Sequence, residues 1–97
     1  MTEKTVSKAI EFRRSVRKYD ASKTLNKEEV RLCIQQATLA PTSSNLQLWE
    51  FYHITKIKTL KEISIACFNQ SAAATASQLV VAVVRKDLWK KRAASNI

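Results

Sequence analysis

A chain of 97 residues suits one small domain, and an apolar content of 45% excludes wholesale disorder. The formal net charge of +9 admits a polyanion, an anionic cofactor or a membrane surface as partner, and equally a merely soluble basic surface. Glycine is absent, which rules out both common Gly-rich phosphate loops. In chain order, Thr5 is placed to cap a first helix, with Val6, Ala9, Ile10 and Arg13 at helical spacing. The basic run Arg13-Arg14-Ser15-Val16-Arg17-Lys18 closes this segment, where cations favour a helix C-terminus. Tyr19 to Leu25 reads as a connector. Asn26 then caps a second helix, with Glu29 positioned for a capping box. Val30, Cys33, Ile34 and Ala37 form a regular apolar stripe on it.

Pro41, the single proline, stops that helix, because proline pushes the preceding residue out of helical geometry. Thr42, Ser43, Ser44 and Asn45 come next, short polar side chains that bond to local backbone instead of extending a helix. The period then changes to two. Trp49, Phe51 and His53 fall on one face and Glu50, Tyr52 and Ile54 on the other, as in a strand.

Ile57, Leu60, Ile63 and Cys67 mark a third helix, interrupted at Asn69-Gln70-Ser71. The alanines from Ala72 to Ala76 allow a short helical turn. Leu79 to Val84 is apolar throughout and rich in β-branched residues, which predicts an interior strand covered on both faces. Asp87 is placed to cap a last helix from Leu88 to Ala94. This order of elements implies helices packed on a small β-sheet, of α+β class. An isolated strand pair is marginal, so the Val-rich strand calls for neighbours on both sides. The closing residues Ala93-Ala94-Ser95-Asn96-Ile97 carry no Gly or Pro terminator.

Cys33 and Cys67 lie far apart in apolar patterns, and with one histidine a zinc site is not expected. Both read as buried reduced thiols. His53 stands alone on its strand, the acids are scattered along helices, and no nucleophilic or hydrolytic set emerges. The start MTEKTVSKAI lacks a hydrophobic signal segment, and the longest apolar run, Leu79 to Val84, is six residues and cannot span a bilayer. A cytoplasmic protein without membrane contact is the expectation.

The residues also suggest anion binding. Arg13, Arg14, Ser15 and Arg17 offer forked guanidinium bonds and a hydroxyl to a phosphate. The loop from Pro41 to Asn45 offers hydroxyls and an amide to a polyol and a ring edge. From spacing alone, a solvated basic face and a capping turn explain the same residues.

Phe12-Arg13-Arg14-Ser15-Val16-Arg17, followed across one helix by Ala40-Pro41-Thr42-Ser43-Ser44-Asn45-Leu46-Gln47-Leu48-Trp49, resembles the FMN-dependent nitroreductase family. That family carries an Arg-Arg/His-Ser-x-Arg/Lys motif and a Pro-Ser-Ser-x-Asn-x-Gln-Pro-Trp loop. Asn69-Gln70, and Thr75-Ala76-Ser77-Gln78 before the Val-rich strand, are similar to it as well. The likeness runs from about Val6 to Arg92, with Thr42 in place of the usual serine and Leu48 where proline often stands.

The resemblance implies an α+β homodimer with FMN at the subunit interface. It implies NADH or NADPH as reductant and a small nitroaromatic, quinone or similar electron acceptor. By position, Arg13, Arg14 and Ser15 would face the phosphate and ribityl chain, and Arg17 the N1/O2 edge of the flavin. Pro41, Thr42, Ser43 and Asn45 would reach the partner subunit's flavin, and Asn69 or Gln70 the polar ring edge. Family members are much longer. Residues 1–97 are therefore expected to form a single domain that is the N-terminal portion of a nitroreductase-like fold, in which activity depends on the rest. The alternative is a basic nucleic-acid-binding module. The charge favours it, but no helix-turn-helix, RNP-like or zinc-finger pattern is present.

Overall fold

Capping chemistry sets where the first helices begin. The computed structural model of the chain describes residues 3–96; Met1 and Thr2 of the MTEKTVSKAI stretch and Ile97 of the closing stretch lie outside the described residues. Helix α1 (Val6–Phe12) starts where the Thr5 hydroxyl accepts from the Lys8 N–H. It ends earlier than the sequence suggested. Arg13 is already extended (ψ 147°), so the basic run lies beyond the helix and not in its last turn. Helix α2 (Lys27–Ala37) starts where the Asn26 side chain accepts from the Glu28 N–H at 2.8 Å. That bond reaches the second helical residue, so Glu29 does not receive the bond a capping box requires. The helix ends at Ala37, ahead of Pro41, and Thr38–Ala40 form a turn.

Strand β1 (Trp49–Ile54) and strand β2 (Leu79–Val84) pair antiparallel, from Trp49 opposite Val84 to Ile54 opposite Leu79. Helices α3 (Ile57–Ala66) and α4 (Ser71–Thr75) lie between them in sequence, so the antiparallel pair is joined at one end by a long helical connection and not by a tight hairpin. A 3-10 turn at Lys86–Leu88 leads into α5 (Trp89–Ser95). This is the α+β arrangement expected from the sequence. Two local expectations fail. Along β2 exposure alternates, with Val80, Ala82 and Val84 outward, so the strand is covered on one face only. Asp87 does not cap the last helix: its carboxylate takes Arg85 as partner, at 2.8 and 2.9 Å.

Helix α3 closes with a Schellman motif. The Asn69 N–H reaches the Ser64 carbonyl at 2.9 Å and the Phe68 N–H reaches Ile65 at 3.0 Å. The left-handed position there is usually glycine. In this glycine-free chain Phe68 takes it, at φ 58°, and Asn69 follows at φ 52°.

The core is thin. Among the described residues Val30, 7% exposed, is the buried apolar side chain, and Ser64 the buried polar one. Cys33, expected to be buried, is exposed although Val30 on the same stripe is covered, and Cys67, after α3, is half-buried. The radius of gyration is 16.3 Å, against about 13 Å for a compact chain of this length. The accessible surface is 8591 Å², where a compact globule of 11.0 kDa exposes about 5,600 Å². The excess, about 3,000 Å², includes Val6, Ile10 and Phe12 of α1 and Leu39 after α2.

Candidate functional site

Two motifs singled out from the sequence sit on different supports. The first is the arginine turn, Arg13 to Lys18. It begins where α1 runs out of backbone donors, and Arg14 satisfies the loose carbonyls. Its Nη1 donates to the carbonyl oxygens of Glu11 at 2.8 Å and Arg13 at 2.9 Å, with a longer contact to Phe12. Arg14 is thus a helix C-cap as well as a surface cation. Arg13, Ser15 and Arg17 are exposed, and among the described residues no carboxylate lies within 4.0 Å of the three guanidinium groups.

The turn is tied down at its far end. The Tyr19 N–H donates to Thr75 Oγ1 at 2.8 Å. Ser77 Oγ donates to the Lys23 carbonyl at 2.7 Å, and Gln78 Nε2 to the Leu25 carbonyl at 2.8 Å. The connector Tyr19–Leu25 therefore lies along the segment between α4 and β2. Within it, Asp20 accepts from both the hydroxyl and the N–H of Ser22, which holds its carboxyl below the ordinary value. Gln70 shares a cleft of about 620 Å³ with Tyr19, Lys23 and Cys67, while Asn69 lines a second cleft on the α3 side of α4.

The second motif, the serine loop, is supported at the opposite end of the sequence. Asn96, just after α5, donates from Nδ2 to the carbonyl oxygens of Ser44 at 3.1 Å and Asn45 at 2.6 Å. Gln47 Nε2 donates to Asn45 Oδ1 at 2.7 Å, and the Gln47 N–H to Thr42 Oγ1 at 3.2 Å. These bonds hold Ser44, Asn45 and Gln47 at φ 51°, a region that L-residues otherwise avoid. Thr42 and Ser43 line a cleft with Leu46–Trp49 and Val84, and Pro41 stands exposed before them.

The structure thus brings Asn69 and Gln70 onto the body that carries the arginine turn. It does not bring Pro41, Thr42, Ser43 and Asn45 into the clefts beside that body, and Arg13, Arg14, Ser15 and Arg17 line none of these three clefts. Sequence reasoning missed Asn96. A lone asparagine after a helix carries no signal, and its bonds span 51 and 52 positions.

A network at the sheet's end organises the strands near the serine loop. Arg85 Nη1 pairs with Glu50 at 2.6 Å, and the Arg85 N–H reaches the Leu48 carbonyl at 2.6 Å. The Tyr52 hydroxyl donates to Glu50 at 2.8 Å, which raises its pKa; the Arg85 bonds hold the Asp87 carboxyl below its ordinary value and push the guanidinium up.

The model of the nitroreductase family matches residues 10–97. The chain belongs to the nitroreductase family. Two relatives share 36% identity with this nitroreductase-family chain. One is YdgI of Bacillus subtilis, provisionally named an NAD(P)H nitroreductase, matched over 69 residues, 70% of this chain and 33% of its own length. The other is protein DrgA of Synechocystis, matched over 83 residues, 86% of this chain and 40% of its own length. Among solved structures, a provisionally named nitroreductase from Exiguobacterium sibiricum, crystallised in complex with FMN, superposes with a TM-score of 0.75 at 32% identity. That match covers 87% of this chain and 40% of the other. The chain thus spans 33% to 40% of the length of these three proteins.

Proposed function

We propose that this chain holds FMN between two copies of itself, as part of a nitroreductase-type oxidoreductase passing electrons from NADH or NADPH to a small nitroaromatic, quinone or similar acceptor. Residues 1–97 act as a single domain, the N-terminal portion of a nitroreductase-like α+β fold. The observation that carries this reading is the likeness, at 32% identity over 87% of the chain, to a structure containing FMN.

The donor set fits such a group. Arg13 and Arg17 present guanidinium groups without carboxylate partners among the described residues, and Ser15 an exposed hydroxyl, which suits a phosphate monoester. Arg14 spends one nitrogen on the α1 carbonyls, which fixes the direction of the rest of its fork. When bound, FMN supplies the hydride-accepting and hydride-donating ring. Arg13, Arg14 and Ser15 hold its phosphate and ribityl chain. Arg17 places a cation near the N1/O2 edge, where reduction leaves negative charge. Asn69 or Gln70 hydrogen-bonds the polar ring edge from the same subunit.

Pro41, Thr42, Ser43 and Asn45 reach the flavin of the partner subunit. Their place outside the two clefts that Asn69 and Gln70 line is compatible with a site completed across two chains. The uncovered surface, about 3,000 Å² beyond that of a compact globule, leaves apolar area both for the rest of such a fold and for a second subunit. Among the described residues no helix is long and apolar enough to cross a membrane, and the cytoplasm is the compartment we propose.

The test is FMN titration of the purified chain, followed by flavin fluorescence and by sedimentation. Saturable quenching in a dimer, weakened by Arg13→Ala and by Asn45→Ala, is the expected result. A monomer that takes up no FMN at any concentration overturns the proposal for this chain.

A further inference from the structure

Residues 75–78 do not face the arginine turn, yet their side chains hold the connector immediately C-terminal to it. Three of the four reach that connector: Thr75 takes the Tyr19 N–H, Ser77 holds the Lys23 carbonyl and Gln78 the Leu25 carbonyl. The bonds cross 53 to 56 positions of sequence, so the connector owes its path to them and not to local propensity. Each anchor is itself oriented. Thr75 Oγ1 donates to the Ser71 carbonyl at 2.6 Å, which leaves its lone pairs for Tyr19. Gln78 Oε1 lies 2.5 Å from His53 Nε2 on β1. Because Gln78 Nε2 is committed to the Leu25 carbonyl, Oε1 is the atom facing the ring, and His53 carries its proton on Nε2. The chain of contact runs from β1 through His53 and Gln78 to the connector.

The arginine turn is consequently a short span fixed at both ends. Arg14 fastens one end to α1, and Thr75 fastens Tyr19, two positions past Arg17, at the other. Between these points the turn makes no helix or strand. We propose that Thr75, Ser77 and Gln78 are positioning residues that fix the arginine turn in the conformation that receives a phosphate monoester. This rests on the flavin reading above for the identity of the ligand, and on the hydrogen bonds alone for the positioning.

The experiment compares FMN with riboflavin, which has the same ring and polyol but no phosphate. Dissociation constants for both are measured by fluorescence quenching on the full chain and on Thr75→Val, Thr75→Ser and Ser77→Ala. The Tyr19 amide exchange rate is measured alongside by NMR. Losing one anchoring hydrogen bond should weaken FMN about fivefold. Riboflavin keeps the ribityl chain and the ring edge that Ser15 and Arg17 also face but lacks the phosphate, so it should weaken by a smaller factor, about twofold. Thr75→Val should deprotect the Tyr19 amide, and Thr75→Ser should restore both protection and FMN affinity.

Equal weakening of FMN and riboflavin, or unchanged affinity for both, overturns the positioning role while leaving the flavin reading intact. If the wild-type chain binds neither flavin, that reading falls, and inorganic phosphate becomes the probe. Amide shifts at Arg13–Arg17 on phosphate addition, weakened by Thr75→Val, then support the positioning role, and their absence overturns it.

Discussion

Asn96→Ala is the substitution whose effect can be derived most directly from the structure. Asn96 donates to the carbonyl oxygens of Ser44 and Asn45 at 3.1 and 2.6 Å, and its Oδ1 receives a marginal 3.5 Å contact from Asn45. All three groups are exposed, so each of the two good bonds is worth about 0.5 kcal/mol, the low end for a protein hydrogen bond. The loss is then about 1 kcal/mol. Opposing these bonds is the backbone: Ser44 sits at φ 51° and ψ 24°, a conformation that costs a non-glycine residue about 1 kcal/mol. Ser44→Gly should recover that amount less about 0.5 kcal/mol for the greater freedom of glycine in the unfolded chain. Asn96→Ala should therefore lower stability by about 1 kcal/mol, and adding Ser44→Gly should restore about half of it. Urea unfolding followed by the fluorescence of Trp49, which follows the loop directly, measures both. Exchange of the Leu46 amide, bonded to the Ser43 carbonyl at 3.1 Å, reports the loop itself. An Asn96→Ala variant with wild-type stability and wild-type Leu46 protection refutes the claim that Asn96 holds the loop.

Phe68→Gly should raise the urea midpoint, with a net gain of about 0.5 kcal/mol from the relieved left-handed residue, since the ring is 90% exposed and little burial is lost; a lower midpoint refutes this. The Arg85 hydrogen bonds hold the folded Asp87 carboxyl below its ordinary value of 3.8. Its contribution to stability is thus complete above the unfolded value and lost as pH falls through the folded one. Wild type should lose stability between about pH 5 and pH 2 more steeply than Asp87→Asn, and parallel curves from acid unfolding would contradict the pairing. Tyr52 titrates above 10.0 because its hydroxyl donates to Glu50. That contribution is present below the unfolded value and fades as pH rises through the folded one. Absorbance at alkaline pH should show Tyr52 ionising late, and Glu50→Gln should bring it back toward the ordinary value; no change in Glu50→Gln would mean the bond is not formed in solution.

Much of the local structure is legible along the chain because it depends on near neighbours. Thr5 and Asn26 start helices by bonds to residues two or three positions on, and Pro41 forbids helix at Ala40 by a steric clash with the residue before it. The alternation from Trp49 to Ile54 gives the strand, though burial along it does not alternate and Tyr52 is its one exposed residue. The same reasoning misread Cys33 and the outer face of β2, since an apolar stripe states which side should be covered but not whether anything covers it. It also gave Asp87 to a helix start when Arg85, two residues before, was the stronger partner for a carboxylate.

By itself, then, the sequence determined the element types, the α+β class and the two motifs that mark the family, all properties carried by spacing of a few residues. Tertiary structure alone decided which distant groups meet: Asn96 on the serine loop, Thr75, Ser77 and Gln78 on the connector, His53 on Gln78, and α4 between its two clefts. The physical reason is that such bonds join groups 25 to 56 positions apart, and their geometry is set by how the elements pack on one another and not by any local pattern.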